Sequence, residues 1–206
     1  MPIQAVLFDI DGTLVDSNDY HVRAWEQAFR QAGHNFDVQT IHDQIGKGTD
    51  MLVPALLPDV DDEQVEALGE SHGCIFRERY LPQVQPFPRA RDLLARVHDS
   101  GREIVLASSA SNAELEHYLD LMSARGLVSA STSADDVERT KPAPDIFSVA
   151  LDKVAPLGPE EAIVVGDTPY DVEAAAKCGI RTIAYVRESS RTRLYIGRAR
   201  ARSTTT

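Results

Sequence analysis

Asp9 and Asp11 stand one residue apart where an apolar run, Val6-Leu7-Phe8, breaks off ahead of Gly12 and Thr13. Two carboxylates about 4 Å apart repel by about 4 kcal/mol at an effective dielectric of about 20. A divalent cation is the simplest group to offset that repulsion. Hard oxygen ligands suit Mg²⁺, which takes one or two carboxylates and leaves its other positions to water and phosphate. Further along, Ile163-Val164-Val165-Gly166 breaks in the same way into Asp167, with Asp171 four residues on. Each acidic site has a purely structural alternative. Asp-x-Asp-Gly-Thr can be an acidic turn with its glycine at positive φ, and Asp167 can be the N-cap of a helix that Pro169 opens, with Asp171 in its first turn. A calcium loop is excluded, because Gly12 follows Asp11 directly. Capping does not explain why two apolar segments each end in a pair of acids.

Two further positions belong with these acids. Ser108 and Ser109 follow Ile104-Val105-Leu106-Ala107 directly. Hydroxyls at a strand's carboxyl end, ahead of a helix N-terminus, either cradle a phosphate together with backbone N–H groups or cap the helix that follows. Lys141 precedes Pro142-Ala143-Pro144, where the chain cannot be helical and is held extended. It is either a solvated loop lysine or an ammonium that neutralises a phosphate and a carboxylate together.

The elements that must position these residues read as strands alternating with helices of 10–15 residues, the pattern of a doubly wound parallel sheet in an α/β protein. Strands are expected at Val6–Phe8, 103–107, weakly at 127–131, at 162–166 and at 181–185, with helices at 88–99, 111–124, 144–153 and 169–178. The first strand is short, continuous and apolar, as a buried parallel strand should be. In open α/β sheets ligands bind beyond the carboxyl ends of the strands, where these acids lie. Residues 18–82 read as a helical insert. Val22, Trp25, Ala28 and Phe29 share one face of a helix over 18–32 that Gly33 ends. Further helices are expected at 38–45, 49–57 and 61–81, and 83–88 reads as an extended linker. The division is therefore 1–17 and 83–186 for the core, 18–82 for the insert, and 187–206 for a basic tail without period.

At 206 residues the chain buries roughly 70% of its unfolded surface and needs no covalent staples. Cys74 and Cys178 lie far apart with no Cys/His cluster, which fits reduced thiols and a cytoplasmic protein. No secretory leader and no apolar run near eighteen residues is found, so export and membrane insertion are not expected. A net charge of −11 argues against nucleic acid as a partner. Six arginines and one acid fall in 187–206, leaving 15 basic and 31 acidic side chains in 1–186.

FDIDGTLVDS, ASSAS, TKPAPDIF and VVGDTPYD, in this order over residues 1–186, resemble the four motifs of the haloacid dehalogenase superfamily, with the helical insert where its phosphatases and mutases carry a small cap. The resemblance implies Asp9 as nucleophile, Asp11 as general acid/base, and Ser108 and Lys141 as phosphoryl-binding groups. It places Mg²⁺ on Asp9, Asp11 (through its carbonyl), Asp167 and Asp171, with Gly12 and Thr13 in the flexible turn beside the nucleophile. Asp11 speaks against the dehalogenase branch, since a halide needs no acid to leave. The insert segment 40–53 resembles the specificity loop of phosphoglycolate phosphatases and their mutase relatives. There Gly46 and Gly48 permit a turn that either aims Lys47 into the cleft or leaves it solvated.

His21 and Trp25 resemble the cap-opening helix of β-phosphoglucomutase-like members, where the histidine assists the acid/base residue, and Asn112 matches that group's second motif. The implied enzyme is a phosphatase of small phosphorylated metabolites, phosphoglycolate- or sugar-phosphate-like, acting as a monomer or weak dimer. A sugar-phosphate mutase is the alternative, and a phospho-acceptor receiver or a non-catalytic binding protein are readings from other classes. The Arg-rich tail departs from the family, whose members usually continue with an acidic, partly helical stretch and another short strand.

Overall fold

The computed structural model describes residues 1–188 and 191–197. β1 (Ala5–Phe8) lies inside a six-stranded sheet, with β2 (Glu103–Ala107) on one side and β4 (Ala162–Gly166) on the other. β3 (Ala130–Thr132) lies beyond β2, and β5 (Arg181–Glu188) and β6 (Arg191–Gly197) lie beyond β4, giving the order β3-β2-β1-β4-β5-β6. The first five strands are mutually parallel and β6 is antiparallel to β5.

Successive side chains of a strand face opposite ways, and here both faces are buried. Val6 and Phe8 pack into one cluster with Trp25, Phe29 and Ile104. Ala5 and Leu7 pack into the other with Val105, Phe147 and Val164. That explains why β1 reads as a continuous apolar run rather than an alternation.

Between β1 and β2 run α1 (Asn18–Gln31), α2 (Val38–His42), α3 (Thr49–Leu56) and α4 (Asp62–Ile75). The buried side of α1 carries Val22, Ala24, Trp25, Ala28 and Phe29, the face expected from its period, and Gly33 follows it at φ +85°. The remaining helices are α5 (Ala90–Asp99), α6 (Asn112–Leu121), α7 (Asp145–Asp152) and α8 (Pro169–Lys177). Among the described residues, no helix is long and apolar enough to cross a membrane.

Two elements differ from the sequence expectation by more than a shift of a few residues at their ends. The helix expected over 61–81 is α-helical only to Ile75 and continues as one π-helical turn, Phe76–Tyr80. It then tightens into a 3₁₀ turn over Leu81–Gln83, where Pro82 has no N–H to continue the wider helical bonding. The tail segment, read as having no period, supplies β6 instead. Arg-Thr-Arg-Leu-Tyr-Ile alternates polar with β-branched or apolar residues and suits an edge strand, and Arg191 to Gly197 pair with Glu188 to Thr182. Residues 189–190 and 198–206 lie outside the described residues.

Candidate active site

The register of the sheet brings the acids together. Phe8 pairs with Val165, and the Asp9 N–H donates to the Val165 carbonyl at 2.9 Å. Asp9 and Asp167 therefore leave neighbouring strands within one residue of the same height. Asp167 enters a loop of two residues, and Thr168 then caps α8: its backbone N–H donates to Asp171 Oδ2 at 3.0 Å and its hydroxyl at 2.7 Å. That capping box holds Asp171 in the first turn, turned toward the sheet edge. Oxygen atoms of Asp9, Asp167 and Asp171 all lie within 4.8 Å of one another.

Lys141 reaches this group from the loop ahead of α7. It is 1% exposed, pairs with Asp9, and sits 2.8 Å from Asp171 Oδ1. Thr13 donates to Asp9 Oδ2 at 3.1 Å and faces Asp167 Oδ1 at 3.3 Å. Gly12 sits at φ +77°, and a Cβ there would fall 2.1 Å from Asp167 Oδ2 and 2.2 Å from Asn18 Nδ2. Only glycine meets both the backbone angle and the approach.

Burial, against the opposing charge of Lys141, lifts the Asp9 carboxyl to about 7, and the charges of Asp171 and Asp11 add to the rise. Burial and the charges of Asp9 and Asp171 hold Asp167 well above the usual carboxylate range. Three crowded carboxylates share a single ammonium, and two of them are pushed toward protonation. The side-chain oxygen of Asn18, beside Asp167, is buried without a hydrogen-bond partner. An all-oxygen, charge-deficient cluster of this kind fits a hard divalent cation such as Mg²⁺.

The Asp11 carboxylate is not part of that trio. It accepts from Ser17 Oγ at 2.6 Å and Ser108 Oγ at 3.3 Å, and it meets His21 Nε2 at 3.2 Å. Burial raises its pKa, but the hydrogen bond and charge of His21 and the Ser17 bond outweigh it and bring Asp11 to about 2. For His21 the burial cost is likewise outweighed by Asp11, so its pKa rises. His72 completes the chain, its Nε2 3.3 Å from His21 Nδ1. Burial and the charges of His21 and Arg77 hold His72 well below its usual range, so it is neutral and can accept. Phe76 covers the His21 ring at 3.8 Å between centroids, and Trp25 covers His72 at 4.2 Å.

Asp9, Asp11 and Ser108 from the sheet edge and His21, Lys47 and Arg77 from the helical insert line one cavity of about 370 Å³. Ser109 also lines it, with its hydroxyl 3.5 Å from the Gly46 carbonyl. Lys47 donates to Gln44 Oε1 at 2.6 Å and lies 4.7 Å from the Tyr170 ring centre. Asn112 is not brought to the cavity. It opens α6 exposed, and its backbone N–H donates to Asp135 Oδ2 at 2.8 Å.

The sequence reading did not single out Asn18, His72, Arg77 or Thr140. Asn18 adjoins one motif and Thr140 opens another, so position alone could have suggested them. His72 on α4 and Arg77 on the π-helical turn after it reach the cavity because both elements pack on α1, which no local pattern shows.

Comparison with known proteins agrees with this geometry. The fructose-1-phosphate phosphatase YqaB of Escherichia coli is 26% identical over 86% of this chain and 94% of its own. The phosphoglycolate phosphatase of Aquifex aeolicus is 28% identical over 87% of this chain and 83% of its own. The crystal structure of a hydrolase from Pseudomonas syringae superposes with a TM-score of 0.82 at 29% identity, covering 89% of this chain and 84% of that one. The sequence profile of the haloacid dehalogenase-like hydrolases matches residues 6–185. With that match over most of its length, and with acids meeting at the ends of β1 and β4, the chain belongs to the haloacid dehalogenase-like hydrolase family.

Proposed function

We propose that this hydrolase is a Mg²⁺-dependent phosphatase of a small phosphorylated metabolite, phosphoglycolate- or sugar-phosphate-like, working through a phosphoryl group carried on Asp9. The observation that carries this reading is the meeting of Asp9, Asp167, Asp171 and Lys141, with Asp9 itself lining the cavity. Asp9, Asp167 and Asp171, with the backbone carbonyl of Asp11, would hold Mg²⁺, which when bound would neutralise phosphoryl oxygens and return Asp9 to its ionised, nucleophilic form.

An Asp9 carboxylate oxygen attacks phosphorus in line, and the ester oxygen leaves; one hard displacement becomes two easier ones. Lys141 lies beside Asp9 and offsets charge on the transferring group. The leaving oxygen needs a proton, and the His21–Asp11 pair is placed to supply it: Asp11 draws the His21 pKa upward, and His72 packs behind His21 at 3.3 Å. In the second step the same pair, now lacking that proton, takes one from the attacking water. Residues 18–82 act as a cap over a core of 1–17 and 83–186, limiting access to substrates that fit about 370 Å³ and keeping bulk water from the intermediate.

The test is a panel of phosphorylated metabolites, with and without divalent cation. Turnover should vanish in EDTA and return with Mg²⁺. Activity that persists in EDTA would overturn the metal assignment. Conversion of a hexose 1-phosphate to its 6-phosphate, without release of inorganic phosphate, would point to a mutase instead.

A further inference from the structure

We propose that Asp50 and Thr140 are positioning residues for Lys141, so that the lysine is set against Asp9 only while cap segment 43–50 is seated on the core. The proposal rests on the phosphatase reading above and deepens it. Thr140, 6% exposed, immediately precedes Lys141 in the chain. Its backbone N–H donates to Asp50 Oδ2 at 2.9 Å, and its hydroxyl donates to Asp50 Oδ1. The same hydroxyl accepts the Gly48 N–H at 2.9 Å. Both donors of Thr140 are thus spent on the cap, and its carbonyl accepts the nearby Ala143 N–H at 2.9 Å.

The approach is close enough to depend on glycine, since a Cβ at Gly48 would fall 2.5 Å from the Thr140 side chain. Hydrogen bonds to a carboxylate are roughly twice as strong as neutral ones, so Asp50 is the firmest of the segment's anchors. The other anchors touch the loop after β2 and the first turn of α8. Ser109 Oγ faces the Gly46 carbonyl at 3.5 Å, and the Tyr170 hydroxyl donates to the Asp43 carbonyl. The cap segment therefore contacts three segments that carry site residues, and at Thr140 it contacts the chain right beside one.

Lys141 is fully buried and bridges Asp9 and Asp171, so its ammonium tolerates little displacement. With the cap lifted, Thr140 loses both partners of its donors, and the segment that aims Lys141 is free to shift. A shift of about 1 Å in such a group costs roughly 100-fold in rate.

Acetyl phosphate separates this role from a fit between cap and substrate. It is too small to reach across the cavity to the cap, and acetate leaves without help from an acid. Thr140→Val keeps shape and removes the hydroxyl. Its kcat for acetyl phosphate is expected to fall roughly 100-fold with KM unchanged, and Thr140→Ser is expected to restore it. Asp50→Asn, on the cap and 90 residues away in sequence, should lower kcat in the same direction and keeps the test open if Thr140→Val does not fold. Unchanged acetyl phosphate turnover in both variants, with losses confined to larger substrates, would overturn the proposal and leave the segment a specificity element. Failure of the unmodified protein to hydrolyse any phosphoester would instead overturn the phosphatase reading.

Discussion

Asp9→Asn is expected to lower kcat by at least about 10⁴-fold, the scale of loss when a covalent nucleophile is removed. The fold should survive. Asparagine has nearly the shape of aspartate, and Thr13 can still donate to its side-chain oxygen as it does to Asp9 Oδ2. In the absence of divalent cation the variant should even be the more stable protein at alkaline pH. The Asp9 pKa is raised in the folded state from 3.8 to about 7. A group raised in this way contributes its full stability below the unfolded value and loses it as pH climbs through the folded one. Between about pH 4 and pH 7 the native protein therefore gives up stability that Asp9→Asn retains. Thermal melts in EDTA across that range, together with turnover in Mg²⁺, check both halves. A variant keeping more than about 1% of wild-type kcat would contradict covalent catalysis through Asp9.

Lys141→Ala should damage both turnover and stability. The ammonium is held by Asp9 and Asp171 in a site with almost no solvent. Their charges outweigh the cost of burying it and raise its pKa above the usual lysine value. Removing one partner of such a buried cluster leaves uncompensated charge and costs about 3–5 kcal/mol. Without the ammonium, the carboxyl groups are pushed further up. The loss should therefore be worst at alkaline pH and smaller in acid, where they protonate. Denaturant midpoints on the two sides of neutrality measure this. An equal midpoint for variant and parent at alkaline pH would show that the lysine does not hold the acids together. Turnover should fall by 10²-fold or more, roughly the effect of losing one preorganised donor to a developing charge. Arginine should not restore it, because a planar fork cannot occupy the place of a compact ammonium between two carboxylates.

How far the site could be read from sequence depended on how local each signal was. β1 and β4 were legible because each is a continuous apolar run ending in an acid, and parallel pairing sets the ends of such runs side by side. Lys141 was legible through the prolines behind it. The face of α1 followed from its period, and Gly33 marked its end. The Asp11 environment was legible only in part. Its carboxylate is turned from the metal-competent trio toward Ser17, Ser108 and His21, which depends on how the chain bends through Gly12. Asn112 resembled a binding residue by position, yet the capping geometry of α6 directs its backbone to Asp135.

His72 and Arg77 stayed hidden, because their place depends on packing between helices far apart in sequence. The edge strand β6 was missed for another reason. Its arginines and aperiodic surroundings masked a short alternation, and strand pairing depends on the neighbour as much as on the segment itself.

The most direct test of the account is to look for the phosphoryl group on Asp9. The protein is mixed with Mg²⁺ and a hydrolysed phosphoester, quenched in acid during turnover and digested, and the peptides are weighed. An aspartyl phosphate on the peptide containing Asp9, released by hydroxylamine and missing from Asp9→Asn, is the predicted result. A quenched enzyme that turns over substrate but carries no phosphoryl group, or carries it on another residue, would contradict the account.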